Sequence, residues 1–255
     1  MGGAPMHEPW RLIESPPAAG DWNMAVDELL LEEAAAGGRP TLRLYSWHRP
    51  TLSLGYFQQF DDVPPEDRQR YPIVRRLTGG GAILHDREVT YALAVPATMM
   101  NGPELYARVN RAILAALRQF GVEGRERGRQ RSAEATQEGE SFLCFARQSA
   151  TDIIACSRKL AGSAQRRRRG GLLQQGSVLL ESEAPWAVGL RDLAGISVDY
   201  VRLAAALVRG FAGEFAAAIE PGNLTADEQT RAEELRQRRY ADIAWLRFGG
   251  RKGEP

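Results

Sequence analysis

Short apolar runs and longer amphipathic stretches alternate along the chain. Runs rich in β-branched and large apolar residues lie near 41–47, 51–56, 72–77 and 89–96, and they dominate again from about 142 to 181. Runs of this length and composition predict buried β-strands. The pattern does not determine the order of these strands in a sheet.

Three stretches carry apolar residues at helical spacing. The first follows Asp21, a candidate N-cap, and ends at Gly37–Gly38, whereas the second covers 105–120 and ends at Gly121. The third is the C-terminal segment 198–248, in which apolar positions stand among charges. Because strands and helices are intermixed, we expect an α/β or α+β fold in which helices pack on a sheet.

The chain is long enough for one sizeable core. It has 255 residues, of which 44% are hydrophobic, and no break in composition divides its middle. We therefore predict a single domain over 1–248, with a core at about 10–200 and a helical tail at about 198–248. The last residues, 249–255, are predicted to be disordered.

Composition narrows the possible functional classes. The formal net charge is only +1, no apolar run is as long as a membrane span, and the N-terminus carries Pro and Glu where a signal peptide needs an apolar core. We expect a soluble, cytoplasmic protein. Two cysteines and three histidines, without an HExxH motif or comparable cluster, provide neither a disulfide framework nor a metal site, so no metal is expected.

Three adjacent glycines mark the strongest candidate for a site. Gly79, Gly80 and Gly81 follow a strand-like run and two arginines, Arg75 and Arg76, and they precede another apolar run. Without side chains, successive backbone N–H groups come close to an anion or a polarised carbonyl, and either arginine adds a forked cationic donor. From the glycines alone, the alternative is a turn that closes a hairpin.

The flanks of these glycines resemble a known family. The block 75–95, with its twin arginines, Thr78, triple glycine and His85-Asp86 pair, resembles the signature of the lipoate and biotin protein ligase superfamily. The resemblance covers about residues 10–200 and implies a mixed, largely antiparallel β-sheet flanked by helices, with an acyl chain in a tunnel beside the glycine-rich loop. Further segments similar to motifs of this family are 42–58, 158–165 and 173–180.

The resemblance also implies a set of substrate-binding residues. Within this set, we expect His85 to position the loop by hydrogen bonding rather than to act as a base. Gln175 stands where relatives often have His, and we interpret it as a polar wall of the pocket. The implied substrate-binding residues are Arg76, Thr78, Gly79, Gly80, Gly81, Ala82, His85, Gly162, Ser163, Gln165, Gly176 and Ser177.

One of the two cysteines is a candidate nucleophile. Cys144 lies where a polar stretch meets apolar sequence, a position that also fits a buried structural cysteine. A Cys-Phe pair 15 residues before the motif lysine, Lys159, is similar to the octanoyltransferase branch of the family, which works through an acyl-thioester. The resemblance implies that Cys144 takes the acyl group and that the Lys159 ammonium favours the thiolate. Considered alone, Lys159 also fits a solvated cation at the end of a strand.

Two further features receive structural interpretations. Cys156 follows an apolar run typical of a strand, and we interpret it as a structural residue. Arg166–Arg169 is predicted to be a mobile, solvated loop that steers acidic carrier proteins toward the thiol. Nucleic acid binding is disfavoured because no aromatic stacking pattern accompanies the arginines.

A monomer is expected because no self-complementary apolar face is evident.

The resemblance implies octanoyl transfer in lipoate biosynthesis as the leading function. Octanoyl–acyl carrier protein is the expected donor, and a specific lysine of a lipoyl-accepting protein, such as the glycine cleavage H protein or a lipoyl domain, is the expected acceptor, with no cofactor. The alternatives are a lipoate–protein ligase that needs ATP and magnesium, in which Cys144 is incidental, and an octanoyl amidotransferase between carrier proteins. A non-catalytic homologue is disfavoured because the glycines, Lys159 and Cys144 are all intact.

Overall fold

A computed structural model describes residues 8–128, 149–195 and 197–249. Strands and helices alternate along these residues. The strands are β1 (Trp10–Glu14), β2 (Thr41–Tyr45), β3 (Thr51–Leu54), β4 (Ile73–Arg75), β5 (Ile83–His85), β6 (Glu88–Pro96), β7 (Arg125–Glu126), β8 (Ile153–Ala155), β9 (Arg158–Arg168), β10 (Gly171–Leu179) and β11 (Ile219–Pro221). The helices are α1 (Gly20–Ala35), α2 (Pro65–Arg70), α3 (Gly102–Arg118), α4 (Leu190–Ala194), α5 (Tyr200–Phe215), α6 (Ala226–Leu235) and α7 (Ile243–Phe248), with a 3₁₀ turn at Phe60–Asp62 and a π-helical turn at Arg236–Tyr240.

Eight of these strands form one mixed sheet in the order β11-β1-β2-β6-β10-β9-β8-β7. Strand β1 runs parallel to both of its neighbours, whereas the other neighbouring pairs in this sheet are antiparallel. The small sheet has the order β4-β3-β5, in which β3 is parallel to β4 and antiparallel to β5. The expectation of a mixed, largely antiparallel sheet flanked by helices is confirmed.

The main sheet has an apolar core on each face, and the central strand β6 contributes residues to both. On one face of the sheet, Tyr91 packs with side chains of α3 and α5, and burial of each large apolar side chain there contributes about 2 kcal/mol. On the other face, Ala92 and Ala94 pack with α1. A Cβ on Gly171 of β10 would lie 2.7 Å from the Leu31 carbonyl oxygen, so small residues on this face let α1 approach closely.

Helices α1 and α3 begin with different signals. Helix α3 begins after Asn101, whose side-chain oxygen accepts a hydrogen bond from the Glu104 N–H. Helix α1 begins at Gly20, so the prediction that Asp21 is its N-cap is wrong. The Asp21 carboxylate instead accepts a hydrogen bond from the Trp22 N–H. Its charge in the first turn still interacts favourably with the helix dipole.

The C-terminal segment is helical, as predicted, but it is also part of the sheet and core. Strand β11 pairs with β1 at the edge of the main sheet. In α7, Trp245 is buried, and its Nε1 donates a hydrogen bond to the carbonyl oxygen of Arg75. The segment therefore contacts the strand that leads into the glycine-rich loop.

A buried carboxylate in α1 also holds the C-terminal segment. Glu28 accepts hydrogen bonds from Arg239 and Tyr240 in the π-helical turn, at 2.7 and 2.8 Å. It accepts another from Arg168 of β9, at 2.8 Å. Burial raises the pKa of the Glu28 carboxyl above its usual range and raises that of the Tyr240 phenol well above its own.

The predicted disordered tail, 249–255, falls mostly beyond the described residues. Gly249 is described and has a φ of +54°. Residues 250–255 lie outside the described ranges. In the part of the chain that the structure describes, no helix combines the length and the apolar character needed to cross a bilayer.

Candidate active site

A cavity of about 270 Å³ lies between the α1 face of the main sheet and the glycine-rich loop. Its walls come from the loop, from the small sheet, from α1 and from strands β6, β9 and β10. The volume is near the lower end of the range for ligand pockets, about 300 to 1,000 Å³. A small ligand therefore fits here better than a large one.

The structure brings most of the predicted site residues to this cavity. Gly81 and Ala82 are exceptions, since Ala82 is buried in a separate apolar cluster with Leu52 and Leu54. Contact with a substrate stays a prediction for the others. The predicted residues that line the cavity are Arg76, Thr78, Gly79, Gly80, His85, Lys159, Gly162, Ser163, Gln165, Gly176 and Ser177.

Arg76 shapes the glycine-rich loop. Its guanidinium donates hydrogen bonds to the carbonyl oxygens of Ser53, Gly79 and Gly81, at 2.8, 2.8 and 2.7 Å. A planar group with several donors suits this task, because it reaches carbonyls on both sides of the loop at once. These contacts give Arg76 a structural role, and donation to a substrate stays a prediction.

Arg75 connects the small sheet to the C-terminal segment. Its guanidinium donates to the carbonyl oxygens of Gly55, Gln58 and Leu246, at 3.0, 2.7 and 2.6 Å. The side chain is only 1% exposed, and it does not line the cavity. Of the twin arginines, Arg76 alone reaches the cavity wall, so the expectation that either could contact a ligand does not hold for Arg75.

Close packing of two backbone segments explains the glycines at this site. A Cβ on Gly55 would lie 2.0 Å from the carbonyl oxygen of Gly80. Gly80 itself has a φ of +92°, which glycine adopts more readily than other residues. The loop joins β4 and β5, which both pair with β3 rather than with each other. The alternative of a simple hairpin turn is therefore wrong.

Lys159 is buried beside the cavity in an ion pair. Its Nζ lies 2.8 Å from Asp152 Oδ1, and the two side chains are 4% and 3% exposed. The second Asp152 oxygen accepts a hydrogen bond from the Ser149 N–H at 2.8 Å. The alternative of a solvated cation at a strand end is wrong. The carboxylate compensates the ammonium charge, which would be costly to bury alone.

Small residues in β9 and β10 make room for this arrangement. A Cβ on Gly162 would lie 2.6 Å from Cε and 2.8 Å from Nζ of Lys159. A Cβ on Gly176 would lie 2.5 Å from the Tyr91 hydroxyl oxygen. The two glycines therefore have a steric reason. The Lys159 side chain occupies the space beside Gly162, and the Tyr91 hydroxyl occupies the space beside Gly176.

His85 is held between an aromatic ring and a carboxylate. Its Nδ1 lies 2.5 Å from Glu88 Oε1, and its ring stacks on Trp47 with centroids 4.1 Å apart. Thr90 donates a hydrogen bond to the same Glu88 oxygen and accepts one from Trp47 Nε1. The second Glu88 oxygen is buried and has no partner among the described residues. These contacts connect the end of the glycine-rich segment to β6.

Gln175 is a polar wall of the cavity, as interpreted from the sequence. Its Nε2 donates to Asp27 Oδ2 at 2.6 Å, and its Oε1 accepts from Thr78 Oγ1 at 2.9 Å. Asp27 also accepts hydrogen bonds from Arg43 and Tyr45. Burial raises the pKa of the Tyr45 phenol well above its usual range. Because an amide both donates and accepts, Gln175 joins the loop to α1.

Ser177 carries a buried hydroxyl at the cavity wall. The residue is 1% exposed and lines the cavity, and its Oγ has no hydrogen-bond partner among the described residues. Ser177 pairs with Gly162 across the two strands, next to the Lys159 ion pair. An unsatisfied buried hydroxyl costs about 1 to 3 kcal/mol, so this position favours a ligand with a polar atom.

The two cysteines differ in what the structure says of them. Cys144 lies outside the described residues, so its predicted role as nucleophile is not tested by the geometry. Cys156 is an exposed free thiol with a φ of +47°. The interpretation of Cys156 as a structural strand residue is wrong, because β8 ends at Ala155 and the chain reverses through Cys156 and Ser157.

The run of arginines is mostly strand. Strand β9 continues through Arg168 because its pairing with β10 extends that far, and the turn comes at Arg169–Gly170. The Arg166 guanidinium lies over the Tyr56 ring, 4.4 Å from its centroid, and Arg168 binds Glu28. The prediction of a mobile, solvated loop is therefore wrong. Steering of a protein partner by these charges stays a prediction.

Sequence reasoning missed several polar residues of the site. Asp152 and Glu88 each stand at the start of an apolar run, and an acid at that position was the available signal. Tyr45 and Thr90 also line the cavity, but inside strand-like runs they resemble ordinary core residues. The partner of each group becomes visible only when the strands are assembled.

The cavity combines an apolar lining with a few fixed polar groups. The buried Lys159 ammonium, the Ser177 hydroxyl and the loop backbone surround a space suited to a short acyl group whose carbonyl develops negative charge. Within residues 8–128, 149–195 and 197–249, no three histidine, cysteine, aspartate or glutamate side chains gather closely enough to hold a metal ion.

Comparisons with known proteins agree with this geometry. The chain is 38% identical over 269 residues to octanoyltransferase LipM of Kyrpidia tusciae, a match that covers 91% of this chain and 97% of that protein. It is 36% identical over 276 residues to octanoyltransferase LipM of Moorella thermoacetica, with 94% and 98% covered.

Solved structures and a family model agree as well. A lipoate-protein ligase A bound with ATP has a TM-score of 0.80 and 22% identity, covering 95% of this chain and 100% of that one, which establishes the shared fold. Residues 20–197 match the model of the lipoyl protein ligase A/B catalytic domain. With the glycine-rich loop, the buried lysine and the cavity in the positions that the motifs predict, the chain belongs to the lipoyl protein ligase A/B catalytic domain family.

Proposed function

We propose that this protein transfers an octanoyl group from octanoyl–acyl carrier protein to a specific lysine of a lipoyl-accepting protein, in lipoate biosynthesis. The observation that carries the proposal is the buried Lys159–Asp152 pair beside a small, partly apolar cavity under the glycine-rich loop. Identities of 38% and 36% to octanoyltransferases over nearly their whole length support the acyl group and the reaction.

Different parts of the cavity wall bind the acyl chain and its reacting end. The apolar lining takes the acyl chain, because burial of its methylene groups is favourable. The Lys159 ammonium and the Ser177 hydroxyl face the polar end of the ligand, where negative charge develops on the carbonyl oxygen or the sulfur. Asp152 pairs with the ammonium and holds it at the cavity wall.

The nucleophile in this proposal is the thiol of Cys144. Its thiolate attacks the carbonyl carbon of the donor thioester, the carrier's thiol leaves, and the enzyme holds the octanoyl group until the acceptor amine arrives. No ATP or other cofactor is needed, because the donor acyl group is already activated as a thioester. The expected acceptor is the lysine of a protein of the glycine cleavage H type.

Intact-protein mass spectrometry after mixing the purified protein with octanoyl–acyl carrier protein, without ATP, tests the proposal. We expect a hydroxylamine-sensitive octanoyl adduct on the wild-type protein and none on Cys144→Ser. Cys156→Ser is the matched control, because it removes the exposed thiol of the β8–β9 turn and should keep the adduct.

Other outcomes identify the alternatives. No adduct without ATP, together with modification of the acceptor by lipoate and ATP, would identify a ligase and overturn the proposal. A requirement for octanoylated H protein as donor, in place of the acyl carrier protein, would identify an amidotransferase. Discharge of the adduct onto unmodified H protein would confirm the expected acceptor.

A further inference from the structure

We infer that His85 and Glu88 form the acid–base pair of this site, in which His85 Nε2 accepts the proton that the acceptor amine loses as the amide forms. The inference rests on the proposed octanoyl transfer, assigns one of its steps, and departs from the expectation from the sequence that His85 only positions the loop. It starts from the hydrogen bond between His85 Nδ1 and Glu88 Oε1 at 2.5 Å.

This hydrogen bond determines which ring nitrogen is left for chemistry. When Nδ1 carries the ring proton and donates it to Glu88, Nε2 keeps a lone pair. No described residue forms a hydrogen bond with Nε2. The His85 side chain lines the cavity, and one face of its ring covers Trp47. The remaining edge of the ring, which carries Nε2, is therefore the part available to a ligand.

The surroundings hold the ring rigidly in this orientation. His85 and Trp47 are nearly parallel, with an angle of 14° between the rings. Trp47 Nε1 donates to Thr90, and Thr90 donates at 2.6 Å to the same carboxylate oxygen that His85 contacts. A ring restrained on one face and one edge loses little entropy when a substrate arrives, which favours its use in catalysis.

The second argument comes from Lys159, which is poorly suited to accept a proton. An ammonium must first lose its own proton to act as a base. In this site, such a loss would leave the Asp152 carboxylate buried beside a neutral amine, with its charge uncompensated. The ion pair therefore suits Lys159 to electrostatic stabilisation, whereas His85, among the described residues of the cavity, carries an imidazole suited to proton transfer.

Within the described residues, the charged groups that surround the cavity with His85 come from several elements. Glu88 stands on β6 and Arg76 on the glycine-rich loop, whereas Asp27 of α1 lies behind Gln175 of the cavity wall and is engaged with Arg43. Asp152, which directly precedes β8, and Lys159 of β9 form an ion pair with no net charge. Among these groups, the Glu88 carboxylate is the one in direct contact with the imidazole, and it stabilises the imidazolium that forms.

The assigned step balances without any further reactant. The acceptor amine nitrogen attacks the thioester carbonyl carbon, and the π electrons of the carbonyl move to its oxygen. His85 Nε2 takes one N–H proton from the attacking nitrogen. When the tetrahedral intermediate collapses, the carbon–oxygen double bond re-forms, the C–S bond breaks and the thiolate leaves. The proton on Nε2 then passes to the thiolate or to water, which restores the neutral ring.

Single-turnover kinetics separate this step from the donor step. Acyl exchange between two thiolates needs no net proton transfer, so His85→Asn should become octanoylated by the donor at nearly the wild-type rate. Discharge of that octanoyl-enzyme onto the acceptor should slow about 100-fold and lose an ionisation from its pH profile. Glu88→Gln should slow discharge less, because an amide oxygen still accepts from Nδ1.

Two further variants distinguish chemistry from structure. His48→Asn, at an exposed histidine, is the matched control and should leave both steps unchanged. Imidazole added to His85→Ala should restore discharge, which a purely structural role for His85 would not permit. Equal loss of both steps, no rescue, or unchanged discharge in His85→Asn would overturn the inference alone. Absence of any octanoyl transfer by the wild-type protein would overturn the proposed function, and the inference with it.

Discussion

The two walls of the cavity use their cations in different ways. On the loop wall, the hydrogen bonds of Arg76 to described residues go to uncharged groups, including the carbonyl oxygens of Gly79 and Gly81. On the strand wall, Lys159 pairs with the carboxylate of Asp152 at 2.8 Å. The guanidinium, with five donors in a plane, shapes a loop, whereas the compact ammonium acts as a movable point charge.

The arginines therefore have structural roles, whereas Lys159 is suited to a role in the reaction. Arg75 connects the small sheet to α7, and Arg76 holds the loop. Lys159 pairs with a carboxylate whose charge a substrate's developing anion can partly replace. We therefore expect substitutions on the strand wall to affect the reaction more than the fold, and substitutions at Arg75 to do the reverse.

The largest effect is expected from Lys159→Met. Loss of the ammonium should reduce octanoyl transfer about 1,000-fold. It should also lower the free energy of unfolding by about 3 to 5 kcal/mol, because Asp152 would be left buried without its partner. The double variant with Asp152→Asn should regain most of the stability and none of the activity, as measured by denaturant unfolding and single-turnover rates. Recovery of activity in the double variant would contradict the electrostatic role.

Arg75→Met should mainly affect stability. The substitution leaves the carbonyl oxygens of Gly55, Gln58 and Leu246 without their donor, which should cost about 3 kcal/mol of unfolding free energy. Hydrogen exchange in α7 should increase, while the transfer rate of the folded fraction should change little. A large fall in that rate, with hydrogen exchange in α7 unchanged, would show that the twin arginines do not divide their roles in this way.

Gly162→Ala should mainly affect activity. The new Cβ would meet Cε and Nζ of Lys159 at 2.6 and 2.8 Å, so the flexible end of the lysine must move. A displacement of about 1 Å at a reacting group costs about 100-fold in rate. Gly213→Ala in α5 is the matched control, because its Cβ would meet nothing within 4 Å. Equal rates for the two variants would argue against a positional requirement at Lys159.

The smallest effect concerns pH and two carboxylates that hold the C-terminal segment. Burial raises the pKa of Glu28 above its ordinary value of 4.5, so its contribution to stability should fall as pH rises from 4.5 through the folded-state pKa. Burial alone would also raise the pKa of Glu228, but hydrogen bonds from Thr225 and Arg11 outweigh it and lower that pKa. Its contribution is present above 4.5 and should be lost as pH falls through the folded-state value.

These opposite pH dependences can be checked by measuring the free energy of unfolding of the wild type, Glu28→Gln and Glu228→Gln over a range of pH. The stability difference between wild type and Glu28→Gln should decrease with rising pH, and that for Glu228→Gln should increase. If both stability differences changed with pH in the same direction, the environments of the two carboxylates would not differ as the structure indicates.

Much of the fold could be predicted from the sequence, because its signals are local. The amphipathic spacing predicted α3, and the apolar run after the glycines predicted the central strand β6. Errors occurred where the pattern was ambiguous. The arginines that end β9 lack the composition of a strand, so pairing with β10 overrides their local preference. Strand β11 is only three residues long, which is too short for a periodic signal.

The candidate site was also predicted only in part. Gly79, Lys159 and Ser177, which belong to different motifs, line one cavity, as the resemblance implied. The partners of these residues were harder to predict, because Asp152 lies outside the segments that resemble the family and Glu88, although inside the block 75–95, is not one of its characteristic residues. Their position at the start of an apolar run was the available signal, but an acid at such a position is ordinarily solvated, so the signal does not by itself predict that these two are buried.

By itself, the sequence determined the kinds of element, the glycine-rich loop and the residue types that the site has available. Side-chain period and glycine's lack of a Cβ act within a few residues, so they can be read along the chain. Only the tertiary structure decided which groups became partners: Lys159 with Asp152, His85 with Glu88, and Arg75 with α7. Such pairings depend on strand register and on packing between distant segments, which are set by the free energy of the whole fold rather than by any local pattern.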